Sequence, residues 1–224
     1  MSNRTRPRFS KAVPPDATYV ELPMEARRQV LMAASLLLDY PGADFSRRLD
    51  AVEESSFPAP VAACFSRFCD WAREAGQRGV EVSFVATFDE RRKCALELSY
   101  YAVGDTRQRG QALLAFRELY RRAGFEQLGG ELPDYLPVVL ELCAKCEDPA
   151  VTDVLPAHRD ALEVLRTALF QLDSPWESIL TAICHVLPPI EQEAKQRYHN
   201  LIRQGPPSEL VGITDLPFPT KARS

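Results

Sequence analysis

Apolar residues recur at three- and four-residue spacing in every long segment of this chain. Nowhere do they alternate over enough positions to make a strand. That one periodicity restricts the fold to helices packed on helices. From Met24 to Leu38, Leu31, Ala34 and Leu38 form a stripe; Pro23 suits the first helical position and "YPG" at 40–42 stops the helix. Asp44 is placed to cap a short helix carrying Phe45, Leu49 and Val52. The segment Pro60 to Ala75 shows Val61, Phe65, Phe68 and Ala72 on one face, ended by Gly76 and Gly79, and a longer helical stretch runs from Glu81 to Tyr101, interrupted near Asp89.

Asp105 is a good N-cap for the next helix, with Gln108 in the reciprocal position, Phe116 and Tyr120 on its buried face, and Gly124 at its end. Asp134 is placed to cap Tyr135 to Cys146, since Pro137 then falls in the first turn. A helix over 157–172 follows, then "SPWE" at 174–177 as a helix start, then a last helix to Arg203. The reading is an all-α protein: a single domain of about eight to ten helices over residues 23–204. Residues 1–22 read as a disordered tail, and residues 205–224 as an extended, Pro-rich one.

At 224 residues the chain buries a real core, and 46% apolar with 26% charged residues is ordinary for a globular protein. A net charge of -4 gives no general affinity for nucleic acid. No apolar run approaches the roughly 20 residues of a membrane span. The start, "MSNRTRPRFSK", has the arginines of a signal peptide but not the apolar stretch that must follow. Cytoplasmic placement without stable membrane association is the expectation.

Arg107 and Arg109 stand at the start of a helix, where a cation opposes the macrodipole at a cost of roughly 0.3–1 kcal/mol. Arg109 heads the stripe of Leu113, Phe116 and Tyr120, so it needs a carboxylate or carbonyls when it packs. An internal ion pair with Asp89, Glu90 or Glu97 meets that need, and so does a ligand. Glu131 and Asp134 beside Tyr135 suggest an acidic, aromatic lip suited to a basic amphipathic peptide, against the simpler use of Asp134 as a cap.

Catalysis has no positive signal. The histidines are scattered, no nucleophile lies in a G-x-S-x-G setting, and "GDTRQRG" lacks the lysine and spacing of a phosphate loop. Cys143-x-x-Cys146 places two thiols on one helix side, but a structural zinc needs four ligands and no second pair exists; two small apolar side chains is the simpler reading. The basic runs at 91–93 and at Arg117, Arg121 and Arg122 read as solvated helix faces rather than a nucleic-acid surface. No metal and no resident cofactor is expected.

Three blocks resemble one known family: "LLLDYPGADF" at 36–45, "FVATFDERRKCALELSYYAVGDTRQRGQALLAFRELYRRAGF" at 84–125, and "ELPDYLPVVLEL" at 131–142. They are similar to the NarJ family, assembly chaperones of respiratory nitrate reductase within the TorD-like redox-enzyme maturation proteins. The closing "PPSELVGITDLPFP" is similar too. Two departures from the wider group stand out: Tyr135 occupies the place of a histidine, and Thr87 that of a leucine.

The resemblance implies a non-enzymatic, TorD-like helical chaperone that binds the N-terminal segment of the nitrate reductase catalytic subunit. It implies that the apoenzyme is held in the cytoplasm for molybdenum cofactor and iron–sulfur cluster insertion before membrane docking. Molybdenum cofactor biosynthesis proteins are a further implied partner class. The site that combines both lines of reasoning comprises Phe84, Phe88, Tyr101, Asp105, Arg107, Arg109, Glu131, Asp134 and Tyr135. The alternatives are a chaperone for another molybdoenzyme, or a thiol or metal enzyme using Cys143 and Cys146.

Overall fold

A computed structural model describes residues 12–104, 107–127 and 130–188. For residues 102, 103, 107 and 108 only the backbone is described. The last expected helix, Asp105 with its cap, residues 1–11 and the closing tail lie outside these ranges. The described chain is all-α, consistent with a TorD-like fold, and its one β feature is an isolated antiparallel bridge between Glu97 and Tyr135.

Helix α1 (Met24–Leu38) buries Val30, Leu31, Ala34, Leu37 and Leu38, the stripe its spacing predicts. It packs along α6 (Leu136–Lys145), with Ser35 Oγ donating to Pro137 O at 2.7 Å, and against α10 (Glu177–Val186). Helix α2 (Phe45–Glu53) follows the "DYPG" turn. Asp44 precedes it without making the expected side-chain cap; its carboxylate instead meets Arg48 Nη2 at 3.1 Å. Arg48 organises this motif, because its guanidinium also donates to Leu36 O and Tyr40 O, at 3.0 and 2.7 Å.

Helix α3 (Ala59–Phe84) runs further than its sequence suggests. Gly76 adopts φ 66°, ψ 168°, a conformation open to glycine at little cost, so the chain kinks there and resumes its helix instead of ending. After α3 comes a π-turn (Val85–Asp89), a 3₁₀ turn (Arg92–Cys94) and α4 (Leu98–Val103), where the periodicity alone predicts one interrupted helix. Helix α5 (Arg107–Arg122) ends at Gly124, φ 72°. Two single-turn helices, α7 (Pro149–Thr152) and α8 (Val154–Ala157), lead into α9 (Arg159–Gln171). Helix α10 begins at Glu177, later than "SPWE" implies, and the Ser174 hydroxyl caps nothing.

Trp176, wholly buried, lies at the centre of an aromatic cluster: Phe68, Phe84 and Phe88 stand 4.8, 5.5 and 5.3 Å from it, ring centroid to ring centroid. The cluster fastens α3 and the π-turn to α10. Residues 12–22, expected within a disordered tail, run as non-helical chain against α9 and α10. Val20 N donates to His185 O at 2.7 Å, and Thr18 O and Pro15 O accept from His185 Nδ1 and Arg166 Nη1, at 2.6 and 3.0 Å. Periodicity has nothing to say about such a strap, whose hold comes from side chains far along the sequence.

Candidate functional site

The Glu97–Tyr135 bridge builds the site. Leu98 N donates to Asp134 O at 3.0 Å and Leu136 N to Leu96 O at 2.8 Å, which zips the segment before α4 to the segment before α6. The π-turn sets Phe88 against Phe84, centroids 4.9 Å apart, and Tyr40 of the "DYPG" turn meets Phe84 edge-on at 5.4 Å. Such turns recur at functional positions because they break a helix's regular spacing.

Between these elements lies a cleft of about 250 Å³. Its apolar lining is Tyr40, Phe84, Phe88, Leu96 and Tyr135, and its charged lining is Asp89, Glu97 and Glu131, all acids. It has room for an anchoring side chain rather than a whole helix. Shallower depressions continue from both rims. One of about 440 Å³ shares Tyr40 and presents Val82 and Val85; one of about 680 Å³ shares Glu131 and presents Phe125 and Leu132.

The acids bear on one another. Burial raises the Glu97 carboxyl above the usual carboxylate range, opposed by a backbone hydrogen bond; Asp134 and Glu131 push it further up and the Arg109 charge pulls it down. Burial, with Asp39 and the cleft acids, also holds the Tyr135 phenol well above its ordinary value, so it stays neutral. Among the described residues the cleft lining carries no cation of its own, and the Arg109 charge acts on Glu97 from beyond it.

Of the expected site residues, the structure brings Phe84, Phe88, Glu131 and Tyr135 together. Tyr101 lies behind the cleft, 4% exposed, its hydroxyl directed at Lys93 O and Ala95 O. Arg109 is half-buried and acts on Glu97, in keeping with the internal ion-pair alternative. Asp105 and the Arg107 side chain lie outside the described residues.

Asp134 is not on the lip. It is wholly buried, and its Oδ2 accepts from Ser99 N at 3.0 Å and Ser99 Oγ at 2.5 Å. The residue expected to cap α6 caps α4 from across the bridge; the N-cap position of α6 falls to Tyr135, without a side-chain bond. Asp134→Ala should cost about 1–3 kcal/mol, the penalty for stranding a buried donor, read as a lower urea midpoint. Peptide affinity of the folded protein should not change.

The residues missed are Tyr40, Leu96, Asp89 and Glu97 as members of one cavity. Tyr40 has a signal in the "DYPG" block, where a tyrosine is not needed to stop a helix. The thiols lie elsewhere: Cys143 donates to Val151 O at 3.3 Å, and burial raises it to about 12. Among the described residues no group of three or more His, Cys, Asp or Glu side chains is arranged to hold a metal, and no helix is long and apolar enough to cross a membrane.

The family model described as "Nitrate reductase delta subunit" matches residues 54–182, more than half of the chain. The nitrate reductase-like protein NarX of Mycobacterium tuberculosis strain H37Rv is 36% identical over 157 residues, 69% of this chain; the chain spans only 24% of that relative. The Bacillus subtilis strain 168 protein named "Probable nitrate reductase molybdenum cofactor assembly chaperone NarJ" is 29% identical over 164 residues, 71% of this chain and 87% of its own length. The nitrate reductase molybdenum cofactor assembly chaperone NarJ of Escherichia coli K12 is 27% identical over 149 residues, 64% of this chain and 63% of its own. The matched region holds α3, the π-turn, both bridge segments and every cleft residue except Tyr40, and on that match this chain belongs to the nitrate reductase delta subunit family, with the NarJ-like assembly chaperones.

Proposed function

We propose that this chain is an assembly chaperone that binds the N-terminal segment of a nitrate reductase catalytic subunit and holds the apoenzyme for cofactor insertion. The observation that carries this reading is the cleft itself: aromatic walls with, among the described residues, acids as its only charged lining. An amphipathic segment with a basic residue beside an apolar one fits it, the apolar side chain between Phe84, Phe88 and Tyr135, the cation at Glu97 and Glu131. Segments that order on binding give up part of their contact energy, so a reversible, micromolar complex of about 8 kcal/mol is expected. Release suits a protein that must surrender its client.

The thiol-enzyme alternative has no comparable support, since a buried thiol held near 12 supplies almost no thiolate at neutral pH.

Calorimetry with a synthetic peptide of the catalytic subunit's first residues tests the proposal. Glu131→Ala and Glu97→Gln should each weaken binding about tenfold, the loss of a charged hydrogen bond worth ~1.4 kcal/mol. Glu97→Gln carries a second signature. Its folded pKa is raised, so its stabilising contribution exists below the unfolded value and is lost as pH rises through the folded one. At neutral pH the charge is a cost, and Glu97→Gln should raise the thermal midpoint while weakening the peptide. Affinity of the unaltered protein should fall as pH drops through the raised Glu97 value. Affinity unchanged from that of the unaltered protein in both variants would remove the cleft from the client's path.

A further inference from the structure

We infer that the furrow beside the cleft, which shares Tyr40 with it, is a second subsite for the same client and takes an apolar side chain one helical turn from the one in the cleft. The inference rests on the reading of the cleft as the client's site. The furrow, about 440 Å³, has Tyr40, Val82, Val85 and Ala86 as its apolar wall. Tyr40, Val82 and Val85 are 47%, 54% and 36% exposed, while Phe84 and Phe88 on the same stretch are 4% and 7% exposed. One run of chain thus gives its aromatics to the cleft wall and its valines to the furrow. Two of the furrow's three charged groups, Arg78 and Glu81, engage each other at 3.2 Å, so the apolar wall decides what it takes.

Tyr40, the wall common to both hollows, is held from two helices. Arg48 of α2 donates to Leu36 O and Tyr40 O, and Gln77 Nε2 of α3 donates to Pro41 O at 2.5 Å and Gly42 O at 3.0 Å. Gln77 is the first residue past the Gly76 kink, so the change of course in α3 aims this amide at the turn. Stopping α1 needs none of these bonds. Their effect is to fix a half-exposed tyrosine between two apolar hollows, and a wall already fixed costs a ligand little ordering on binding.

The arrangement selects a helical client. Phe84 and Val85 are consecutive, with Cα atoms about 3.8 Å apart, so the hollows they wall are neighbours. Residues three or four apart on a helix have Cβ atoms about 5–6 Å from one another, and such pairs are the anchors by which an amphipathic helix lies in a groove. One side chain enters the cleft against Phe84 and Phe88, and its neighbour a turn away lies across Tyr40 on Val82 and Val85. An extended segment puts same-side residues two apart, so sequence separation tells the two forms of client apart.

The test is calorimetry on the full chain with the synthetic catalytic-subunit peptide and its single-alanine variants. Covering two half-exposed valines is worth about a factor of ten in affinity, so Val82→Ser/Val85→Ser should weaken the parent peptide about tenfold. Both valines are exposed, so the urea midpoint should stay close to that of the unaltered protein; Val82→Lys alone, at the more exposed of the two, repeats the test. One apolar peptide position should matter in the unaltered protein and cease to matter in the serine variant, three or four residues from one that still matters. A separation of two, or no position silenced, overturns the inference. Full affinity in the serine variant with weakened binding in Glu131→Ala also overturns it, the client then ending at Tyr40 while the cleft reading stands. Full affinity in both variants takes the cleft reading down as well. A serine variant altered only in its sedimentation overturns the inference in favour of a second copy of this chain on the furrow.

Discussion

Trp176→Ala is expected to lower stability by about 3–5 kcal/mol, the usual cost of truncating a buried large aromatic. For a domain whose whole margin is about 5–15 kcal/mol, that is about a fifth or more of what keeps it folded. The side chain is wholly buried, and it joins α10 to Phe68 in α3, Phe84 at the end of α3 and Phe88 in the π-turn. It also donates from Nε1 to Ser83 Oγ at 3.2 Å, so the alanine strands a hydroxyl as well as opening a void. The cavity cannot close cheaply, since its walls belong to three separate elements.

Because Phe84 and Phe88 are cleft walls with Trp176 as their backing, the same change should loosen the site. Trp176→Ala in 0–10 °C buffer should show a large fall in denaturant midpoint and, while still folded by far-UV circular dichroism, weaker client-peptide binding. Trp176→Phe separates the effects: it keeps an aromatic backing and should recover most of the binding while remaining less stable. Full binding in the folded alanine variant would mean that the cleft walls stand without their support.

The all-helical class was legible because each helix carries its own apolar stripe, and α1 shows this at Val30, Leu31, Ala34, Leu37 and Leu38. The breaks were less legible, because their cause is tertiary. Gly76 reads as a stop by composition, yet the chain resumes its helix beyond it. The segment at 95–97 reads as helix by spacing, but its backbone groups find partners in the 134–136 segment, which local sequence cannot show. The site was half legible for the same reason. Phe84, Phe88, Glu131 and Tyr135 lie in conspicuous aromatic and acidic blocks. Asp134 looked like a local cap, and only the bridge reveals that its Oδ2 belongs to Ser99 in another helix.

Glu163→Ala should be about as damaging as the tryptophan change, for an electrostatic reason. Glu163 stands between two arginines, each one turn from it on α9: Arg159 Nη2 donates to Oε1 and Arg166 Nε to Oε2, each at 2.8 Å. All three side chains are buried, with 9%, 6% and 3% exposed for Arg159, Glu163 and Arg166. Removing the shared carboxylate leaves two guanidinium ions inside the protein, and breaking such a pair costs about 3–5 kcal/mol.

The local consequences follow from what the arginines hold. Arg159 Nη1 donates to Cys184 O at 2.9 Å, closing the end of α10, and Arg166 Nη1 donates to Pro15 O at 3.0 Å, anchoring the strap. In hydrogen exchange, Glu163→Ala should strip protection from the Val20 amide, bonded to His185 O, before the α1 and α6 amides are affected. The triple change Arg159→Met/Glu163→Leu/Arg166→Met distinguishes charge from packing. With the buried trio gone, and Glu177, 3.7 Å from Arg166 Nη1, keeping its hydrogen bond from Thr181 Oγ1, global stability should return to near that of the unaltered protein. The strap, deprived of its donor at Pro15, should remain unprotected, which would assign the arginines to fixing the strap more than to holding the body together.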